Sequence, residues 1–466
     1  MSAGGSTGAA PDTNGDADVV IVGARVAGSS LAALLARGGL RVVVLDQATT
    51  IGFTLSSNIV QADSLAFLDR LGLTERLRAA GLTTMDQVDM RLEDFRAVLP
   101  FPTRPGDVGG AACLRRQVLD PLLVEAAREA GADVRLGVKV RGLLRGDDGR
   151  VVGVRTAERG GGEATVRARL VVGADGRAST VARLAGARQY HVTRNERAYY
   201  WTYFEGADTG EAPTFVFHRW GDRHLLGGPA DNGLYIVGVS PEQHERETFH
   251  DDLEGSLMAH ALSCAPIAKA IGGANRASRV FGIRRFSGYF REASGPGWVL
   301  LGDAGHFKDP AGGRGIGDSF HQAERLAPAV TRAVTENRRD AELDRLCGEF
   351  GRWRDRVYAE YYGLASDLGV AGPIASVVPE VVRRLHARGQ GGRVLDLLSH
   401  RVGVLGVLTP GRVAGATGRL LLRGGGRRAL LSEVRALGGT EIRRRRAMRR
   451  PAYAPVPPHA ETELSA

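Results

Sequence analysis

"VVIVGARVAG", residues 19–28, decides the fold: an apolar run ends in a glycine turn that opens a helix. The turn nearly matches the G-x-G-x-x-G of a dinucleotide-binding unit, with Arg25 where the middle glycine belongs. In such a turn the first glycine allows the sharp bend and the middle one lets backbone N–H groups approach a pyrophosphate. The last lets helix pack on strand. Gly23 and Gly28 hold the outer positions, with Ala24 and Arg25 between. "RVVVLD" ends at Asp46, 23 residues after Gly23, where a carboxylate accepts two ribose hydroxyl hydrogens. Residues 18–46 thus spell a βαβ unit with a parallel sheet and a right-handed crossover. At Arg25 a Cβ obstructs the closest backbone approach, but a guanidinium returns a charge-assisted hydrogen bond to a phosphate.

Two later segments repeat the theme. "LVVGADGRASTVARLAG", residues 170–186, is a buried strand ending at Asp175, a polar turn and a short helix. "WVLLGDAGHFKDPAGGRGIGDSFHQAERLA", residues 298–327, is again a strand ending in Gly-Asp, then a glycine-rich loop feeding a helix. Carboxylates at strand C-termini sit where open α/β sheets bind ligands. Asp303 suits a polyol chain, and Gly312, Gly313 and Gly315 let backbone close on a flat ring. The helix that follows directs its positive end at that ring.

Between these segments the pattern changes. Residues 114–130 have helical spacing, and "GDDG" and "RGGG" punctuate a small antiparallel meander. Over 190–290 aromatic residues collect in alternating stretches, "AYYWTYFEG" and "TFVFHRW" among them. These read as an inserted antiparallel sheet. Tyr199, Trp201, Tyr203, Phe215 and Phe217 are its candidate substrate contacts, and alternation leaves open which of the aromatics face the site.

The totals bound the rest. The chain has 466 residues, 43% hydrophobic, enough for two packed domains or one large composite one. Three isolated cysteines without metal spacing argue against disulfides and zinc, and suggest a reducing cytoplasm. The head of the chain lacks the features of a signal peptide. The net charge of +10 is mostly local: residues 423–450 carry ten arginines against Glu433 and Glu441. That end is either a solvated, disordered tail or a contact for a membrane surface or another polyanion. No aromatics are interleaved with its arginines, so nucleic acid is not the expected partner. Lysine is nearly absent, and one of the three, Lys308, falls in the glycine loop.

Together the three motifs, in this order, resemble the class A flavoprotein monooxygenases of the para-hydroxybenzoate hydroxylase fold, over roughly residues 18–370. The resemblance implies a Rossmann-like α/β FAD-binding domain of glutathione-reductase type. An inserted antiparallel-sheet substrate domain and C-terminal helices would complete it. The boundaries that follow are an N-terminal disordered tail (1–17), FAD-binding parts at 18–75, 111–187 and 291–368, and substrate-domain parts at 76–110 and 188–290. A helical region with a basic end (369–450) and a disordered tail (451–466) follow. Gly23, Ala24 and Gly28 would hold the FAD pyrophosphate, Asp46 the ribose and Asp303 the ribityl chain. Arg116 matches the arginine of an R-x-x-L-x-x-x-L helix that reaches FAD. Asp175 would sit near the pyrophosphate and aid NAD(P)H reduction. Pro310, Gly313, Gly315 and Ile316 would lie beside the isoalloxazine.

In that family reduced FAD captures O2 as a C4a-hydroperoxide and hydroxylates a flat aromatic or polycyclic molecule, with NAD(P)H as reductant. Antibiotic biosynthesis is the expected setting. Lys308 and His306 would polarise a phenol or meet the peroxide, with Pro310 beside them. Alternatively Lys308 turns outward and His306 is structural. With no second nicotinamide-binding unit, a separate flavin reductase stays open. Competing readings are a geranylgeranyl-reductase-like C=C reductase, whose Y-x-W-x-F-P signature Tyr199, Trp201 and Tyr203 partly echo, and a non-catalytic FAD scaffold. A flavin halogenase is a further alternative, but its W-x-W-x-I-P is missing.

Overall fold

A computed structural model describes residues 17–56, 58–158, 162–424, 426–457 and 463–465. The expected N-terminal tail lies outside them, except Ala17, which opens the first strand.

The apolar run Ala17–Val22 is a strand buried on both faces, as parallel strands covered by helices must be. It pairs in parallel with Val42–Asp46 on one side and Glu163–Gly173 on the other. Asp133–Leu136 and Trp298–Leu300 extend the sheet in parallel at its flanks. All three motif strands therefore lie side by side, with their glycine turns at one end. Helices Val26–Arg37, Arg116–Glu129 and Gly315–Thr335 supply apolar stripes to the core, with Leu31, Leu35, Leu119, Leu123, Phe320 and Leu326 all buried. Strands Val138–Arg145 and Val151–Glu158 form the meander with Glu163–Gly173.

The aromatic stretches build a second sheet. Strands Thr214–Trp220, Arg223–Pro229, Leu234–Ser240, Tyr199–Glu205 and Phe281–Arg285 are antiparallel neighbours in that order. The segment assigned to residues 76–110 joins them through Gln87–Leu92 and Phe95–Pro100. The sheet is mixed rather than purely antiparallel, because Gln87–Leu92 runs parallel to Thr214–Trp220. Alternation splits its residues: Tyr200, Phe204, Val216 and Val237 enter a core beneath short helices, while Trp201, Tyr203, Phe215 and Phe217 face the opposite side.

At the C-terminus the structure departs from a disordered tail. Arg427–Arg449 is a helix, held to the body by the Arg444–Asp367 ion pair at 2.6 Å and by Ser376 Oγ donating to Glu433 at 2.6 Å. Beyond it, Ala454–Pro455 pairs with Arg188–Arg194, and Glu463–Ser465 pairs with Phe281–Arg285. Unpaired strand edges accept such segments, a pairing that composition alone does not reveal. Among the described residues no helix is long and apolar enough to cross a membrane.

Candidate active site

The two sheets meet over one large cavity of about 810 Å³. Its nucleotide end lies at the glycine turns. Gly23 has φ +105°, and a Cβ there would stand 2.4 Å from the Ala174 carbonyl oxygen; a Cβ on Gly28 would stand 1.8 Å from that of Gly23. Turn, helix and neighbouring strand are therefore in closest backbone contact. Asp46 pins the turn: its carboxylate accepts the Ala24 N–H and the Ala48 N–H, each at 2.8 Å, while still lining the cavity. Ala24 and Gly28 themselves are structural supports and do not line it.

Arg25 and Arg116 both line the cavity and share a support that the motifs do not contain. Asp120 is fully buried and takes Arg116 Nε and Nη2 at 2.6 and 2.8 Å and Arg25 Nη1 at 3.5 Å. Arg25 also donates to the Gly52 carbonyl at 3.3 Å. A single carboxylate thus orients two guanidinium groups across a chain separation of 95 residues. Asp175 lines the same end, but its oxygens are committed: they accept from Ser179 Oγ, Thr180 N and Val181 N, capping the helix Thr180–Ala185. Burial raises the Asp175 and Asp303 carboxyls above the usual carboxylate range. For Asp303, Arg177 and Arg116 oppose that shift. Lys139, another of the rare lysines, also lines this end.

The middle of the cavity is the glycine loop. Pro310, Gly313, Gly315 and Ile316 line it. Gly313 needs its left-handed φ of +62°, and nothing lies within 4 Å of where a Gly315 Cβ would project. The space beside Gly315 is a cradle that a side chain would fill, at the N-terminus of a 21-residue helix. Such a cradle, with arginines at one end and strand-end carboxylates along its length, fits a flavin dinucleotide.

Lys308 does not turn outward. It is 7% exposed and ion-paired with Asp318, which also lies 3.1 Å from His400 Nδ1 and 3.9 Å from Arg314 Nε. Burial and the Arg314 charge push the lysine pKa well down. Arg314 is in turn clamped by Asp63 at 2.7 and 2.8 Å. His306 also touches the cavity and is buried among aromatic rings, 4.4 Å from Phe290 and 5.2 Å from Tyr358 between centroids. Burial holds its imidazole well below the usual pKa.

The far end is the aromatic sheet. Tyr199 and Trp201 line the cavity with Phe53, Leu226, Ile236 and Phe307. Tyr203, Phe215 and Phe217 do not. Tyr203 Oη accepts from Asn58 Nδ2, and the two phenylalanines share a buried cluster with Val377, Val381 and Leu385 of the C-terminal helices. The sheet face is divided along its width, and the helices cover the part farther from the flavin loop.

Asp309 is the polar group that the motifs conceal most completely. Tyr199 Oη donates to its Oδ1 at 3.0 Å, and the Ala311 N–H donates to the same oxygen at 2.9 Å. Burial raises this carboxyl to about 6. Burial also raises the Tyr199 phenol well above its ordinary value. His224 and Ser240, directly opposite each other on adjacent strands, line the same end without a hydrogen-bond partner for either imidazole nitrogen or Oγ.

A glycine turn at one helix N-terminus facing a glycine loop at another, across one cavity with an aromatic wall, defines a flavin-nucleotide oxidoreductase site. A family model described as "FAD binding domain" matches residues 16–349. The chain belongs to that family, the class A flavoprotein monooxygenases, and is an FAD-dependent oxidoreductase; NAD(P)H is the family's typical reductant. It is 27% identical over 343 residues to 6-methylpretetramide 4-monooxygenase of Streptomyces rimosus, covering 71% of this chain and 78% of that protein. It is 28% identical over 318 residues to the digeranylgeranylglycerophospholipid reductase of Methanocella arvoryzae, covering 64% and 73% respectively. Among solved structures, the myxobacterial chondrochloren halogenase CndH superposes with a TM-score of 0.66 at 21% identity. That match covers 82% of this chain and 96% of the halogenase, and it establishes shared fold.

Proposed function

We propose that the protein is a monooxygenase that hydroxylates a flat aromatic or polycyclic small molecule, with NAD(P)H and O2, in cytoplasmic secondary metabolism. The observation that carries this reading is the half-buried Tyr199–Asp309 pair, at the seam where the glycine cradle meets the aromatic wall. Bound FAD supplies the electrons that activate O2. Arg25 and Arg116 would face its pyrophosphate, Asp46 its ribose and Asp303 its ribityl chain, with Gly313, Gly315 and Ile316 against the ring.

The chain's own work is positioning and proton handling. Tyr199 and Trp201 hold a planar ring, and the apolar wall excludes water. Tyr199 Oη accepts a hydroxyl proton from the substrate as its own passes to Asp309 Oδ1, which leaves the ring electron-rich. With its pKa near 6, Asp309 is ionised at neutral pH and ready to receive that proton. Lys308, tied to Asp318, organises the loop rather than meeting substrate.

The test is oxygen uptake by the FAD-loaded protein with NAD(P)H and a panel of phenols and hydroxyquinones. Uptake coupled to a product one oxygen atom heavier supports the reading. A chain that purifies without flavin and takes up no added FAD overturns it. If NAD(P)H fails to reduce the bound FAD, a separate flavin reductase is the source of electrons. A second reading, C=C reduction of a polyprenyl chain, draws on the reductase relative. Turnover of a polyprenyl substrate without oxygen would favour it.

A further inference from the structure

We propose that the exposed face of the C-terminal helix Arg427–Arg449 docks the protein on an anionic lipid bilayer. This helix lies outside the matched family region and takes no part in the cavity. Arg428, Leu431, Arg435, Ile442, Arg446 and Arg449 follow each other at intervals of three, four or seven residues, so they form one stripe along the helix. Every one is exposed, Leu431 by 49% and Ile442 by 54%. At 1.5 Å per residue the stripe runs about 30 Å.

Both acidic residues of the helix are used elsewhere. Glu433 accepts from Ser376 on the body, and Glu441 pairs with Arg445 at 2.5 Å. The inward side is fixed by buried Leu430 and the Arg444–Asp367 pair, so the stripe faces away from the protein. Among the described residues none of its four arginines forms an ion pair, whereas Arg444 and Arg445 of the same helix are paired with acids. A surface that alternates bare guanidinium groups with two large apolar side chains matches a headgroup layer. Phosphates meet the arginines, and the leucine and isoleucine enter the acyl boundary. A single-stranded nucleic acid would be expected to meet stacking aromatics, and this helix has none; a duplex would use the arginines alone and leave Leu431 and Ile442 without a role.

The test uses the full-length FAD-loaded protein and sedimentation with vesicles, either pure phosphatidylcholine or phosphatidylcholine with 30% phosphatidylglycerol (roughly the anionic content that gives an appreciable surface potential). Binding is expected to the anionic vesicles and to fall as salt screens the arginines. Each arginine contributes roughly fivefold, so replacing Arg428, Arg435, Arg446 and Arg449 by Gln should reduce binding at least a hundredfold. Leu431→Asn with Ile442→Asn keeps every charge and should still weaken vesicle binding about tenfold. Retained flavin absorbance verifies that each variant folds, and if the arginine variant loses flavin the Leu431/Ile442 pair decides. Three results overturn the proposal: no binding to anionic vesicles, equal binding to both vesicle types, or duplex RNA binding that matches vesicle binding and ignores Leu431 and Ile442.

Discussion

Gly28 and Gly315 are both motif glycines, and the structure assigns them opposite consequences on substitution by alanine. At Gly28 the new Cβ would sit 1.8 Å from the Gly23 carbonyl oxygen, about half a normal contact, and both groups are backbone. No rotamer change relieves that clash, so helix and turn must separate. Overpacking of this kind costs about 3 kcal/mol. Unfolding entropy of about 2.1 cal/mol/K per residue makes a degree worth roughly 1 kcal/mol for a chain of this length. Gly28→Ala should therefore lower the Tm of the FAD-free protein by about 3 °C and weaken FAD as the turn opens. At Gly315 nothing lies within 4 Å of the new Cβ, and alanine favours a helix by up to about 1 kcal/mol. Gly315→Ala should leave the FAD-free Tm unchanged or slightly raised. Its methyl would occupy the cradle and weaken FAD about tenfold or more, or about 1.4 kcal/mol. Thermal unfolding without FAD, followed by fluorescence titration with FAD, reads both effects. Equal loss of stability in the two variants, or full FAD affinity in Gly315→Ala, would refute the placement of the flavin in this cradle.

Further predictions concern charge. Arg25→Gly should retain FAD, because Arg116 stays anchored on Asp120, whereas Arg25→Glu sets a second carboxylate against buried Asp120 and should weaken FAD sharply; titration of both variants gives the comparison. Lys308→Met leaves Asp318 without its main partner in the interior and should cost about 3 kcal/mol, measured by denaturant unfolding, with Lys308→Met/Asp318→Leu recovering part of it. Asp309 binds its proton more tightly folded than unfolded, so its contribution to stability is full below about pH 4. That contribution, about 3 kcal/mol at roughly 1.4 kcal/mol per pH unit, is lost as pH rises through about 6. Asp309→Asn should accordingly raise the Tm relative to wild type at pH 8 and not at pH 4. An equal effect at both pH values would show that the carboxyl titrates normally.

The nucleotide half of the site was legible because its signals are local. A strand, a glycine turn and a helix are set by a dozen neighbouring residues, and Asp46 follows the turn on the next strand. The setting of Lys308 was hidden for the opposite reason: its partner Asp318 lies one loop later, and only the closed loop brings the two together. Asp120 carries no motif of its own, yet it holds both arginines of the nucleotide end. Asp309 lies within the glycine-loop motif, but its meaning comes from Tyr199, 110 residues away on another sheet.

The sequence alone determined the class of fold, the strand ends that line the cavity and the glycine turn where a Cβ is forbidden, because those depend on short-range backbone geometry. It also determined that the aromatic stretches present alternating faces. Which aromatics reach the cavity was decided only by tertiary packing. Tyr199 and Trp201 open onto it, while Phe215 and Phe217, on the same sheet, are sealed in a core shared with C-terminal helices. Alternation fixes the face of a strand, but what covers that face depends on segments more than a hundred residues distant.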